Sequence, residues 1–227
     1  AHRDRIAFMR IVSGRFDADK EVYHVQGGKK LRLSRPQQLM AAEREIIEEA
    51  YAGDIIGVFD PGIFSIGDTL CAPGKKFRFD PIPTFAPEHF KRVRSLDTMK
   101  RKQFLKGMEQ IAQEGAIQIF KTPYTGMEEV IVGVVGTLQF DVLEYRLKNE
   151  YNVELYMEGL PYEYLRWIET DDGEPVKEED LILGTDVKLV EDYKGNQLLL
   201  FGSQWAIGWT EERNKNLTFH EFGGTKF

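Results

Sequence analysis

The sequence predicts a chain of mixed β and α+β class: a small closed all-β domain, then an α+β domain of β-α-β-β-α-β order. Three observations carry this expectation. Gly53-Asp54 and Gly67-Asp68 stand fourteen residues apart, and each launches a short apolar run, the pattern of turns at barrel corners. Between residues 130 and 157, a β-branched run, a glycine turn, a helical-period stretch and an alternating stretch follow one another. A second helical-period stretch, flanked by apolar strands, precedes that unit, which gives the domain its two helices.

Residues 1–82 form the predicted β domain. Ile6 to Val12 reads as a strand ending at Ser13-Gly14, and Glu21 to Gln26 as its neighbour before the Gly27-Gly28 turn. Leu31 and Leu33 alternate with Arg32 and Ser34, which sends the leucines to the core and Arg32 outward. Met40 to Ala50, MAAEREIIEEA, is made of strong helix formers, and on propensity alone it reads as helix. Ala52-Gly53-Asp54 breaks it, and Ile55 to Phe59 is strand.

Residues 83–227 form the second domain. Phe90 to Arg94 is a basic strand, and Asp97 or Thr98 caps a helix. Phe104, Leu105, Met108, Ile111 and Ala112 make its apolar stripe, and Gly115 stops it. Ile117 and Ile119 give a strand, and Pro123 and Gly126 a turn. Val130-Ile131-Val132 is a buried strand closed by Gly133 and Gly136. Thr137 takes the N-cap position of a helix with Phe140, Leu143, Leu147 and Tyr151 on one face. Asn152 ends it, and Val153, Leu155 and Met157 alternate as a strand. From about residue 159 to 227 runs a C-terminal extension. Tyr162 to Ile168 is a strand there, and Asp171 to Asp180 an acidic loop. Val187–Val190 and Leu198–Phe201 form a hairpin, Trp205–Arg213 a short helix, and Leu217–Phe219 a last strand.

Composition bounds the function. At 227 residues and 42% hydrophobic content the chain supports two modest domains. No apolar run approaches the roughly 20 residues of a membrane span, and the N-terminus lacks a signal-peptide core. Cys71 is the only cysteine, which rules out an internal disulfide; a small core residue is expected there. A cytoplasmic monomer without membrane contact is the expectation.

A net charge of −7 argues against a surface that coats nucleic acid throughout. The cations are nevertheless clustered. Lys91, Arg92, Arg94, Lys100, Arg101, Lys102 and Lys106 face the single acid Asp97, and Lys29, Lys30, Arg32 and Arg35 form a second group. From Glu169 to Asp192, ten acids face only Lys177 and Lys188. Local basic footprints on an acidic chain suit a polyanionic partner.

Catalytic signatures are missing from the sequence. Gly28-Lys29 and Gly74-Lys75 are each followed by lysine rather than Ser or Thr, and neither has glycine five residues earlier, so no phosphate-binding loop is present. Asn214-Lys215 continues as Asn216-Leu217, which lacks the aspartate of the guanine-reading Asn-Lys-x-Asp. His2, His24, His89 and His220 have no metal-type spacing, so structural or surface roles are expected. No catalytic, cofactor-binding or metal residue is predicted. Arg146 and Arg166, each beside core-type residues, are expected to form local carboxylate pairs.

The residues also carry a resemblance. AYAGDIIG (50–57) and IGDTL (66–70), in that order, resemble the second domain of translational GTPases. HRDRIAFMRIVSGRF (2–16), FAPEHFKRVR (85–94), KQFLKGMEQIAQEGAIQIF (102–120) and IVGVVGTLQFDVLEYRLKNEYNVE (131–154) closely resemble the bacterial peptide chain release factor 3 family. The resemblance implies a translation-factor β-barrel followed by a ferredoxin-like domain, and a strand at Glu45 to Glu49. It implies that residue 1 sits where a GTPase domain ends, so that GTP or GDP and Mg belong to that N-terminal domain and none to this chain. It further implies a parent that hydrolyses GTP on the ribosome and promotes departure of the stop-codon-reading class I release factors.

The implied partners are small-subunit ribosomal RNA and ribosomal proteins, the chain's own GTPase domain and, indirectly, class I release factors. From charge placement, Lys29, Lys30, Arg32, Arg35, Arg92, Arg94 and Arg101 are the candidate ribosome-contacting residues. Two alternatives stand beside this reading. One is the equivalent portion of an elongation-factor-G-like or ribosome-protection GTPase; the other is a stand-alone RNA-binding or ligand-sensing module.

Overall fold

Apolar residues that alternate along short strands enclose the core of the first unit among the described residues. The fold is a computed structural model that describes residues 5–18, 20–33, 37–40, 43–75, 77–80, 82, 84–123 and 129–221. The chain divides into two units, Ala1–Ile82 and Pro83–Phe227.

In the first unit, β8 (Ile55–Asp60) is the central strand. It pairs along its length with β1 (Arg5–Arg10), from Arg5 opposite Asp60 to Arg10 opposite Ile55. On its other side β5 (Gln37–Met40) joins at Gln37 opposite Gly57, and β6 (Glu43–Ile46) pairs with β5. β2 (Arg15–Asp17) pairs with β7 (Glu49–Tyr51). β3 (Val22–His24) lies between β4 (Lys29–Leu31) and β9 (Leu70–Cys71). One core, built from Phe16, Leu33, Ala50, Ile56, Val58 and Phe64, with Met9, Ile11, Leu31 and Leu70 against it, draws on these separate ladders. This is a β-barrel.

MAAEREIIEEA is therefore not helix. Residues 43–46 and 49–51 are strand, interrupted at Ile47-Glu48, so the stretch from Glu45 to Glu49 is strand at both ends only. Tertiary pairing overrides helix propensity here. Ala50 is 2% exposed in the barrel core opposite Phe16, and Gly53 turns the chain at φ +102° into β8.

The second unit is built on β10 (His89–Ser95), α1 (Arg101–Gln113), β11 (Gln118–Lys121), β12 (Glu129–Val134), α2 (Leu138–Tyr151) and β13 (Leu155–Gly159). Their order in the sheet is β13-β10-β12-β11, all antiparallel, which is the ferredoxin-like arrangement. Asp97 accepts a hydrogen bond from Met99 N at 2.9 Å and starts a short 3₁₀ turn that leads into α1. Phe104, Met108 and Ile111 of α1, with Phe140, Leu143 and Leu147 of α2, pack on Val93, Val130, Val132 and Val134 of the sheet. Asn152, left-handed at φ 55°, ends α2, and the Val153 amide closes on the Leu147 carbonyl.

Two expectations for this unit are corrected. Thr137 stands at the N-cap position, but its backbone is helical and its side chain makes no cap bond; Gln139 Oε1 accepts the amides of Val135 and Gly136 just before it, each at 3.0 Å. The strand does not stop at Gly133 but runs one residue further, to Val134, which still pairs with His89 of β10.

The extension adds β14 (Tyr164–Thr170), β15 (Val187–Asp192), β16 (Gln197–Phe201), α3 (Gln204–Arg213) and β17 (Leu217–His220). β15 pairs with the free edge of β11, at Phe120 opposite Asp192, so one eight-stranded sheet results, continuing β11-β15-β16-β14-β17. Its two halves face each other. Phe90, Phe120 and Ile131 from the back of the ferredoxin-like half share a core with Leu165, Trp167, Val190, Leu198 and Leu200. The other face of the extension carries Leu189, Leu199 and Phe201 under Ala206 and Ile207 of α3. The unbroken Leu198-Leu199-Leu200-Phe201 run follows from having both faces covered.

Candidate nucleic-acid interface

The barrel cations stand on a hairpin whose turn is fixed from beneath. Gly28 takes φ +63°, and Gly27 lies so close to the His24 ring that an added Cβ would be 2.4 Å from Nδ1. His24 is 3% exposed, its Nε2 is 2.8 Å from Asp68 Oδ2, and its ring meets Phe64 edge to face. Asp68 also accepts from Ser65 N, and Gln26 Oε1 from Thr69 N, while Val25 N donates to Thr69 O. The Gly67-Asp68 turn is thus clamped to the β3–β4 hairpin.

From that base β4 presents Lys29 opposite His24 and Lys30 opposite Tyr23. Both lysines and Arg32 are exposed, while Leu31 and Leu33 enter the core. None of the three makes an ion pair with a described residue. Arg35 lies outside the described residues. Three other barrel cations, Arg5, Arg15 and Lys20, are engaged. Arg15 bridges Asp17 and Glu49 at 2.8 and 2.6 Å, and the charge of Asp17 foremost, then that of Glu49, raises the Arg15 pKa. Lys20, hydrogen-bonded to Asp17 at 2.6 Å, holds that carboxyl below its usual range. Unpaired cations on a rigid hairpin can bind phosphate oxygens, as positioning rather than base-reading contacts.

In the second unit Arg92 and Arg94 point away from α1 and α2, two residues apart on β10 against β13. Arg92 Nη1 is 3.3 Å from Glu158 Oε2, and the Arg94 guanidinium lies 4.6 Å over the Tyr156 ring. Arg101 is exposed at the first residue of α1, in a separate place. The structure therefore brings Lys29, Lys30 and Arg32 together, and Arg92 with Arg94, but not Arg101 with either of that pair.

Arg146 joins Glu150 at 2.8 Å and also Glu114, and the Glu150 hydrogen bond leads the causes that raise its pKa. Arg166 reaches Glu221 at 3.1 Å. His220 Nε2 lies 3.4 Å from Glu169, and His89 is exposed. Cys71 is half-buried rather than in the core, its Sγ donating to Lys75 O at 3.3 Å. Among the described residues no three His, Cys, Asp or Glu side chains are grouped to hold a metal ion. No described helix is long and apolar enough to cross a membrane. The His24–Asp68 clamp is what sequence reasoning missed; its signal was a histidine ending a strand next to a glycine pair, with a second Gly-Asp turn downstream.

Residues 79–211 match the family model of the class II release factor RF3 C-terminal domain, and residues 1–73 that of elongation factor G domain 2. The chain is 53% identical to peptide chain release factor 3 of Symbiobacterium thermophilum over 219 residues, which cover 96% of the chain and 40% of that protein. It is 46% identical to the Gloeobacter violaceus protein of the same name, over 97% of the chain and 41% of the relative. With that of Listeria monocytogenes it shares 45% identity, over 96% and 40%. The chain spans about two-fifths of the length of these relatives.

Proposed function

The chain belongs to the peptide chain release factor 3 family, and on that premise we propose that it is the non-catalytic, ribosome-binding portion of a translational GTPase acting in translation termination. The observation that carries this reading is the match of residues 79–211 to the family's C-terminal domain. That range takes in the ferredoxin-like strands and the extension down to α3.

In this reading GTP or GDP and Mg are held by a GTPase domain outside this chain. The barrel docks on small-subunit ribosomal RNA through Lys29, Lys30, Arg32 and Arg35; Arg92, Arg94 and Arg101 meet ribosomal RNA or protein. Movement of these units relative to the GTPase domain couples nucleotide state to ribosome conformation. The outcome is departure of class I release factors after peptide release, in a cytoplasmic monomer without membrane contact.

The test is dissociation of a fluorescently labelled class I release factor from ribosomes after peptide release. The intact protein with GTP is expected to speed that dissociation. GTP hydrolysis on the ribosome without faster dissociation would overturn the proposal.

A further inference from the structure

We infer that the outward face of α3, formed by Trp205, Gly208 and Trp209 with Arg213, docks a Lys- and Arg-rich protein surface of the ribosome, a cation of which seats on the open Trp205 ring. The inference rests on the ribosome-binding reading above and assigns this face its partner chemistry.

Three observations meet at this helix. Trp205 is 73% exposed, whereas Trp167 of the same unit is 8% exposed in the core. The Trp205 and Trp209 rings are 6.3 Å apart, and the Arg213 guanidinium lies 4.1 Å over Trp209. The ladder thus already holds one cation on an indole and leaves Trp205 open for another. Trp and Arg are also the residues that concentrate binding energy at interfaces.

Gly208 is the second observation. It sits inside α3, where glycine weakens a helix, yet a Cβ added there would meet nothing within 4 Å. No described residue packs where that Cβ would stand. Gly107 of α1 is the contrast, since a Cβ there would stand 3.0 Å from Leu147 and Tyr151. The notch at Gly208 lets a partner approach the helix backbone beside Trp205.

Charge selects the partner. Residues 159–227 hold 14 Asp and Glu against seven Lys and Arg, so this extension carries the chain's entire net charge of −7. Glu211 and Glu212 are exposed on α3 itself. Glu178, Glu179 and Asp180 are exposed and tied next to it, because Ile182 exchanges two hydrogen bonds with the Asn214 side chain at the helix end, of 2.9 and 3.0 Å. An acidic rim around an aromatic centre repels nucleic-acid phosphate and also a second copy of itself. It attracts a basic protein.

The test places the photoreactive residue p-benzoylphenylalanine at position 205 of the intact protein, which is irradiated on 70S ribosomes and analysed by mass spectrometry. The expected product joins position 205 to a Lys- and Arg-rich segment of a ribosomal protein. Trp205→Ala is expected to weaken ribosome affinity about five-fold. Gly208→Gln, which favours the helix, is expected to keep or raise thermal stability while weakening affinity, an effect that a structural role alone would not produce. Products with ribosomal RNA alone, with a second copy of the chain, or none from a protein that co-sediments with ribosomes would overturn this inference alone. Failure of the unmodified protein to co-sediment would overturn the function proposed above together with it.

Discussion

A methyl group added at Gly133 would stand 2.6 Å from Pro87 Cγ and 2.9 Å from Phe120 Cε2. Proline cannot swing aside, and Phe120 is locked in the core between the two halves of the sheet. Gly133→Ala should therefore destabilise the second unit by ~2 kcal/mol, read from urea denaturation. Gly208→Ala should do the opposite and add ~0.5–1 kcal/mol, since the helix gains and nothing is displaced. Asp60 is a third single residue with a large role. It is buried, Oδ1 accepts the amides of Gly62, Ile63 and Phe64, and Oδ2 lies 3.4 Å from Arg5. Asp60→Ala leaves those amides short of an acceptor at the end of β8. About 3 kcal/mol of barrel stability should be lost in the same measurement. Residue-level chemistry was legible where one residue decides it, as with Asn152 at the left-handed helix end or Arg146 beside its carboxylates. It was not legible at Thr137, because the amides that its side chain would cap, Gln139 N and Phe140 N, donate instead to the backbone carbonyls of Gly136 and Thr137.

Among elements, the pair α1 and α2 is held by a core seam, by the Tyr151 hydroxyl of α2 donating to Gln110 Oε1 of α1, and by a polar link at its edge, where Arg146 of α2 joins Glu150 on its own helix and Glu114 just past α1. The link is partly exposed, so Arg146→Ala should cost about 1 kcal/mol, and less at high salt. Asp97→Ala should cost about as much by removing the cap that precedes α1. A chemical melt at two ionic strengths separates them, since both remove a charge but only the first removes a bridging pair. The strand–helix–strand unit at 130–157 was readable because the change of period from 2 to 3.6 is local. MAAEREIIEEA misled because its register is set by β2 and by the barrel core, which lie far off in sequence. The junction of β11 with β15 was hidden for the same reason; its Lys121–Glu191 pair at 3.4 Å unites residues seventy apart. Only the four-residue apolar run of β16 hinted that both faces of the extension are covered.

For the whole molecule the balance of charge is the organising quantity. The acids gather in the extension, and unpaired cations stand on the β3–β4 hairpin of the barrel, so different surfaces suit partners of opposite charge. The barrel cations could be read from the sequence because Lys29, Lys30 and Arg32 follow one another along one hairpin, whereas the second sequence cluster divides between β10 and α1. The clamp that steadies the hairpin could not, since His24 and Asp68 are 44 residues apart. Whether the barrel hairpin holds ribosomal phosphate is read from the affinity of the intact protein for 70S ribosomes across a salt series. It compares wild type with a variant carrying Lys29→Ala, Lys30→Ala, Arg32→Ala and Arg35→Ala. Roughly ten-fold or greater weakening and a shallower dependence on salt are expected, because phosphate contacts are removed. Equal affinity at low salt, with the same salt slope, would contradict phosphate binding by the hairpin.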